Sequence, residues 1–150
     1  MMRDPLNISV DWTEKMQFTA TNDKTDAKVA IAVQSGAGAT ENNATGSKHL
    51  FLQGFAGCTG GAVLFLLEKM RAEMPSKFVI DISGKLTSEH PMYFETIDVV
   101  YRIDGNTDVN TIKKAVTMSE DKYCGLTYML RKASKVSFSV LVNGQAVEMS

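Results

Sequence analysis

The chain has 150 residues, of which 44% are hydrophobic and 22% are charged, and its net charge is -1. This composition excludes a disordered or collagen-like chain and predicts one globular domain over residues 1–150. The balanced charge disfavours nucleic acid as a partner, because phosphate binding needs a broad cationic surface. Two cysteines and two histidines are too few for a disulfide scaffold or a His-rich metal site. We therefore expect no metal, no cofactor and a cytoplasmic location, where thiols stay reduced.

Alternating apolar and polar residues predict three strands near the amino terminus. Residues 8–12 and 16–20 alternate in this way, and the polar residues 13–15 between them favour a hairpin. A third strand is expected at residues 29–33. Residues 35–47 are dense in Gly, Ser, Asn and Thr, a composition typical of a loop.

The longest uncharged segment, residues 50–67, predicts a buried central helix. It lies in a helix expected over residues 49–73, which basic residues and a proline close. Its 18 residues approach the length of a membrane span, but four glycines and two polar residues dilute its hydrophobicity. The rest of the chain is rich in alternating strands that need a soluble core, so we expect no membrane partner.

The remaining segments alternate between strands and helices. Further strands are expected at residues 78–86, 93–103 and 136–142. Apolar residues at helical spacing predict a helix capped by Asp108 or Asn110, and a shorter helix at about residues 124–132. The order β-β-β-α-β-β-α-α-β, with mostly hairpin-linked strands, indicates an α+β fold with antiparallel sheets.

One face of the long helix carries three glycines and a cysteine. Gly54, Gly57, Cys58 and Gly61 lie at i, i+3, i+4 and i+7 and therefore share a face. Each glycine costs a helix interior about 1 kcal/mol relative to alanine, which implies a packing or functional reason. The face is either a tight helix–helix seam, in which Cys58 is a small apolar residue, or a narrow apolar slot that presents a thiol. The spacing alone favours the seam, and the two interpretations are compatible if the seam is also the active site.

The second cysteine, Cys124, begins a predicted helix. The helix dipole and the free N–H groups at such an end stabilise a thiolate, which makes Cys124 the more reactive thiol by this argument. A half-buried structural cysteine at a helix junction fits the pattern equally well. Both cysteines lie on helices that must cover the same sheet, so contact between Cys58 and Cys124 is a reasonable hypothesis.

Three segments together resemble the OsmC/Ohr family of osmotically inducible and organic hydroperoxide resistance proteins. The run HLFLQGFAGCTGGAVLFLLEKMR resembles the family segment that ends in A-G-C-T and continues into a long helix. The run KAVTMSEDKYCGLTYMLRKA is similar to the second-cysteine segment, in which S-x-x-K-Y-C precedes a short helix. The run EHPMYFETIDVVYRIDG resembles the strand between them.

This resemblance implies an OsmC-like fold, an intertwined homodimer and thiol-dependent reduction of organic hydroperoxides. It implies that Cys58 attacks the peroxide and that Cys124 resolves the resulting sulfenic acid as a disulfide, the reverse of the order that the dipole argument favours. A dithiol such as a lipoyl group would then reduce the disulfide by exchange.

Two residues depart from the family pattern. Family members usually carry a Glu nine positions before the first cysteine, where this chain has His49, and an activating Arg in the amino-terminal strands, where it offers Arg3 alone. His49 is a candidate base or cationic partner, while Lys15, Arg102 and Glu120 are further charged candidates without spacing support. These departures keep a second hypothesis open: an OsmC-fold dimer that binds a small apolar ligand or senses oxidants without efficient turnover.

Overall fold

In the computed structural model, which describes residues 3–32 and 44–149, the three amino-terminal alternating segments and residues 45–46 of the predicted loop form a mixed four-stranded sheet. Its strands are β1 (Ile8–Glu14), β2 (Gln17–Asn22), β3 (Val29–Ala32) and β4 (Thr45–Gly46). β1 and β2 form the predicted hairpin, in which Trp12 pairs with Phe18. β3 and β4 are parallel. Residue 33 of the predicted third strand and most of the predicted loop over residues 35–47 lie outside the described residues.

The helices of the chain are α1 (Ser47–Lys69), α2 (Val109–Met118), a π-helical turn (Ser119–Tyr123) and α3 (Gly125–Leu130). The sequence predicted α1, α2 and α3 but not the π-helical turn between the last two. Of the two candidate caps for α2, Asp108 is the one used, since its Oδ2 accepts a hydrogen bond from the Thr111 backbone N–H at 3.0 Å.

A second sheet contains β5 (Lys77–Leu86), β6 (Phe94–Asp104), β7 (Lys135–Val142) and β8 (Gln145–Val147), in that order. β6 is antiparallel to β5 but parallel to β7. The expectation of antiparallel sheets is therefore wrong, and both sheets are mixed. The reason is the connection: α2, the π-helical turn and α3 separate β6 from β7, and a crossover of this length lets the chain return in the same direction.

The chain divides into two compact units, Met1–Phe51 and Leu52–Ser150. The expectation of a single OsmC-like domain over residues 1–150 stays a prediction. In the second unit, β6 supplies the centre of the core through the alternate residues Ile97, Val99, Tyr101 and Ile103, each at most 1% exposed. α1 and α2 cover this face of the sheet with further buried apolar residues.

Helix α1 is buried on one face and exposed on the other. It has 23 residues and ends at Lys69, four residues before the predicted end. Its buried residues are Phe55, Thr59, Gly60, Val63, Leu66 and Leu67. Gly54, Gly57 and Gly61 are exposed on the other face, so the expectation of a buried central helix holds for one side only.

By length and composition alone, α1 is apolar enough to cross a membrane. Of its most apolar 18-residue window, 33% is buried inside the protein. The core helix of a soluble protein passes the same test, so this feature is weak evidence for a membrane span.

Gly84 on β5 permits a close approach of two apolar side chains. A Cβ atom there would lie 2.7 Å from the Phe94 ring and 3.1 Å from Leu52 Cδ1. We expect Gly84→Ala to lower the free energy of unfolding by about 1–3 kcal/mol, because a rigid aromatic ring must move to make room. Urea denaturation measures this loss, with Ser83→Ala, an exposed neighbour on β5, as the control that changes stability little. An unchanged midpoint for Gly84→Ala would contradict the tight packing.

Candidate active site

The two cysteines come together although they are far apart in the sequence. The Sγ atoms of Cys58, on α1, and Cys124, at the N-cap of α3, lie 3.4 Å apart. Both are free thiols: Cys58 is half-buried, whereas Cys124 is 2% exposed. At this separation the thiols share a hydrogen bond, and a modest approach of the two sulfur atoms would allow a disulfide. The predicted contact between them is confirmed.

The π-helical turn determines where Cys124 lies. Its backbone N–H donates to the Ser119 carbonyl at 2.9 Å, which closes the turn. The Ser119 hydroxyl donates to the backbone carbonyl of Thr59 at 3.3 Å, next to Cys58 in the chain. The Thr59 hydroxyl is in turn hydrogen-bonded to the buried phenol of Tyr101 on β6. A buried polar network therefore links the segments that carry the two cysteines.

Burial keeps the phenol of Tyr101 neutral. The apolar core raises the pKa of Tyr101 well above its usual value, although the hydrogen bond with Thr59 lowers it, and the nearby Glu120 and Cys124 raise it further. Tyr101 consequently acts as a neutral hydrogen-bonding group beside the thiols.

The groups around Cys58 have opposing effects on the pKa of its thiol. Burial is the largest and raises the pKa of Cys58, and the contact with Cys124 raises it too. The backbone N–H groups of Leu126 and Gly125, at the start of α3, lower it. The helix end that the sequence assigned to Cys124 thus acts on Cys58. Within the described residues, the Cys124 side chain makes no capping hydrogen bond to its own helix.

A cavity of about 390 Å³ opens beside Cys124. It is lined by Glu120, Asp121, Lys122, Cys124, Gly125, Tyr128, Arg131 and Lys132. The Glu120 side chain is 17% exposed, and its Oε1 lies 3.3 Å from Arg131 Nη2. Burial raises the pKa of Glu120 to about 7, against the opposing effect of Arg131 and with a contribution from Asp121. The sequence offered Glu120 as a candidate without spacing support; its place in the S-x-x-K-Y-C segment is the signal that could have found it.

The other charged candidates have separate environments. His49 lies exposed on the first turn of α1, and its role stays a prediction. Arg102 donates to Asp81 at 2.6 Å on the exposed side of the second sheet. Lys15 lies in the turn between β1 and β2, and Arg3 is exposed near the amino terminus. Across residues 3–32 and 44–149, no group of three His, Cys, Asp or Glu side chains could hold a metal ion.

The raised pKa of Glu120 predicts a pH dependence of stability. The folded protein holds this proton up to about pH 7, whereas the unfolded chain loses it near its usual pKa of 4.5. The native state therefore binds more protons between these values, and stability falls as pH rises through this window. We expect Glu120→Gln to be more stable than wild type by about 1–3 kcal/mol at pH 8 and similar to it at pH 4. Urea titrations at both pH values measure the difference, and equal stabilities at pH 8 would contradict it.

Comparison with known proteins identifies the family. Residues 39–139 match the family model described as OsmC-like protein. The chain is 29% identical over 139 residues to protein YhfA of Escherichia coli K12, covering 89% of this chain and 96% of that protein.

Solved structures share the fold. An OsmC-like protein from Mycoplasma pneumoniae superimposes with a TM-score of 0.78 at 16% identity, covering 94% of this chain and 99% of that one. The organic hydroperoxide resistance protein OhrB of Bacillus subtilis gives 0.68 at 16% identity, covering 92% and 98% of the two chains. With the family model matched over both cysteines, the chain belongs to the OsmC-like protein family.

Proposed function

We propose that this protein is a thiol-dependent reductase of organic hydroperoxides, in which Cys58 attacks the peroxide and Cys124 resolves the product. The observation that carries the proposal is the distance of 3.4 Å between the two Sγ atoms. Cys58 is the half-buried thiol of the pair and Cys124 is 2% exposed, so solvent reaches Cys58 more readily. The name of the Bacillus subtilis structure, an organic hydroperoxide resistance protein, supports this substrate class.

Because the Cys58 thiol is more exposed than the Cys124 thiol, Cys58 is the residue that reacts first with the peroxide. The Cys58 thiolate attacks the terminal peroxide oxygen, the O–O bond breaks and the alkoxide leaves as an alcohol after taking a proton. Cys58 is then a sulfenic acid. Cys124 attacks its sulfur, water leaves and a disulfide forms, before a second peroxide can oxidise Cys58 further. A dithiol reductant such as a lipoyl group restores both thiols by exchange.

The raised pKa of Cys58 favours a second candidate function. Burial holds this thiol in its protonated form, which is a poor nucleophile. A protein of this kind would bind a small apolar ligand or sense oxidants without efficient turnover.

For the reductase, His49 remains the proposed base or cationic partner of Cys58. His49→Ala would then slow the reaction with hydroperoxide.

We also propose a cytoplasmic homodimer. On the exposed face of α1, a Cβ built at Gly54, Gly57 or Gly61 would meet no described atom within 4 Å apart from the adjoining residues and the backbone of its own helix. The same face exposes Leu64 (37%) and Phe65 (51%), both about one turn beyond Gly61. A bare, apolar stripe of this kind suits close packing against the α1 helix of a second copy.

The deciding experiment treats the reduced protein with one equivalent of cumene hydroperoxide. Intact mass under non-reducing conditions and peptide mapping are expected to show the loss of two hydrogens and a disulfide that joins Cys58 to Cys124. Two unmodified thiols would contradict the reductase and favour the ligand-binding alternative. Native mass spectrometry of the untreated protein would then search for a bound small molecule.

A further inference from the structure

We propose that Glu120 accepts the proton of Cys124 when this thiol forms the disulfide with Cys58, and that Arg131 positions the Glu120 carboxyl for this transfer. The inference rests on the proposed function, because it concerns the resolving step of the same site. The step itself is thiol chemistry, so it can be tested without a peroxide.

The cavity beside Cys124 provides the route for the proton. Glu120 and Cys124 both line this space of about 390 Å³, which is large enough for water molecules to connect them. Arg131 holds Glu120 at two points: Nη2 lies 3.3 Å from Oε1, and Nη1 donates to the Glu120 backbone carbonyl at 3.3 Å. Arg131 follows the last residue of α3, and Cys124 occupies the N-cap position of the same helix. The guanidinium therefore fixes the carboxyl relative to the helix that begins at the thiol.

Cys124 needs a proton acceptor because it is buried. Its thiol is 2% exposed, so bulk water has little direct access to the proton that must leave before the sulfur attacks. The adjacent carboxyl of Asp121 is 68% exposed and well solvated, whereas the Glu120 side chain is 17% exposed. Of these two carboxyl groups that line the cavity, Glu120 is the more buried, and it is the proposed acceptor of the Cys124 proton.

The groups around Glu120 adjust its basicity. They come from the π-helical turn (Asp121, Lys122), from α3 and its end (Cys124, Arg131, Lys132) and from β6 (Tyr101). Burial and Asp121 raise the pKa of Glu120 and Arg131 lowers it, with the result near 7. A base whose pKa lies near the working pH transfers protons most effectively.

The atoms of the step balance without a further oxidant or reductant. The Glu120 carboxylate takes the proton from the Cys124 thiol, and the sulfur attacks the sulfur of the Cys58 sulfenic acid. The S–O bond breaks, and the departing hydroxide takes the proton from Glu120 and leaves as water. The S–S bond forms, and the carboxylate is restored.

The test uses 4,4′-dithiodipyridine, one equivalent added to the full-length reduced protein. Cys58 releases the first thiopyridone in a bimolecular phase, and the attack of Cys124 on the mixed disulfide releases the second in a first-order phase. In wild type, the second rate is expected to rise with an inflection near pH 7. Glu120→Gln should slow it at pH 7 by roughly 10²-fold and remove this inflection. Arg131→Met should move the inflection to higher pH, because the cation that lowers the Glu120 pKa is lost.

Two controls separate this role from a structural one. Glu95→Gln, at an exposed carboxyl on β6, should leave both phases unchanged. Cys124→Ser should keep the first phase and lose the second. Equal second-phase rates for wild type and Glu120→Gln at pH 7 would overturn the proposal, as would a wild type that never releases the second thiopyridone. If hydroperoxide leaves both thiols unmodified while these rates follow the expected pattern, the proposed function fails and the role of Glu120 stands.

Discussion

Cys58→Ser is expected to abolish the consumption of organic hydroperoxide, with a loss of at least about 10³-fold in rate. The substitution removes one sulfur and keeps a similar volume at a half-buried position, so the fold should persist. A serine hydroxyl stays protonated at neutral pH and does not attack an O–O bond in the way that a thiolate does. Colorimetric determination of the remaining cumene hydroperoxide measures the loss, and thermal unfolding verifies that the variant is folded.

Cys124→Ser is the matched variant. It leaves the attacking thiol in place and removes the thiol 3.4 Å away that would resolve the product. This variant should consume one equivalent of hydroperoxide, hold a sulfenic acid on Cys58 that dimedone traps, and lose activity on further exposure. Hydroperoxide consumption equal to wild type in both variants would exclude the thiol mechanism.

The local elements of the fold were accessible from the sequence, because each depends on a period of two or of about 3.6 residues. Alternation located β5, β6 and β7, and helical spacing located α2 with its Asp108 cap. The parallel pairing of β6 with β7 was missed, since alternation specifies which face a residue takes but not which strand lies beside it. The π-helical turn was missed for a related reason: it is defined by backbone hydrogen bonds such as that from the Cys124 N–H to the Ser119 carbonyl, and no side-chain period reveals them.

The candidate site was accessible in part. The face shared by Gly54, Gly57 and Cys58 was correctly placed on one helix, yet the sequence could not show which glycines contact the sheet. Gly60, outside that face, is the glycine of α1 that packs against β5, where an added Cβ would overlap Ile80 Cδ1. The sequence indicated the start of a helix at Cys124. The backbone N–H groups of that helix act on Cys58, because a tertiary contact brings the Cys58 sulfur to the start of α3. The burial of Glu120 likewise depends on tertiary contacts, which a sequence pattern does not show.

Gly61→Leu is expected to dissociate the proposed homodimer. A leucine side chain adds four carbon atoms to each copy of α1 where the stripe of small residues would admit none. Overpacking costs typically about 1–3 kcal/mol at each substituted site. Because a two-fold interface contains the substitution once in each copy, the cost is doubled, and the dimer dissociation constant should rise by about 30-fold or more. Sedimentation velocity over a range of protein concentrations measures the shift, and Gly57→Leu should behave in the same way.

The same substitution should leave the protomer at least as stable as before, which separates a lost interface from a lost fold. Apart from the adjoining residues and the backbone of its own helix, no described atom lies within 4 Å of a Cβ at Gly61, so a side chain can start there without a clash. Leucine also favours a helix over glycine by about 0.8 kcal/mol. Lys114→Leu, at an exposed position on α2, adds the same side chain elsewhere and should sediment as wild type. If Gly61→Leu and wild type sediment identically, the glycine face does not join two copies and the proposed interface is wrong.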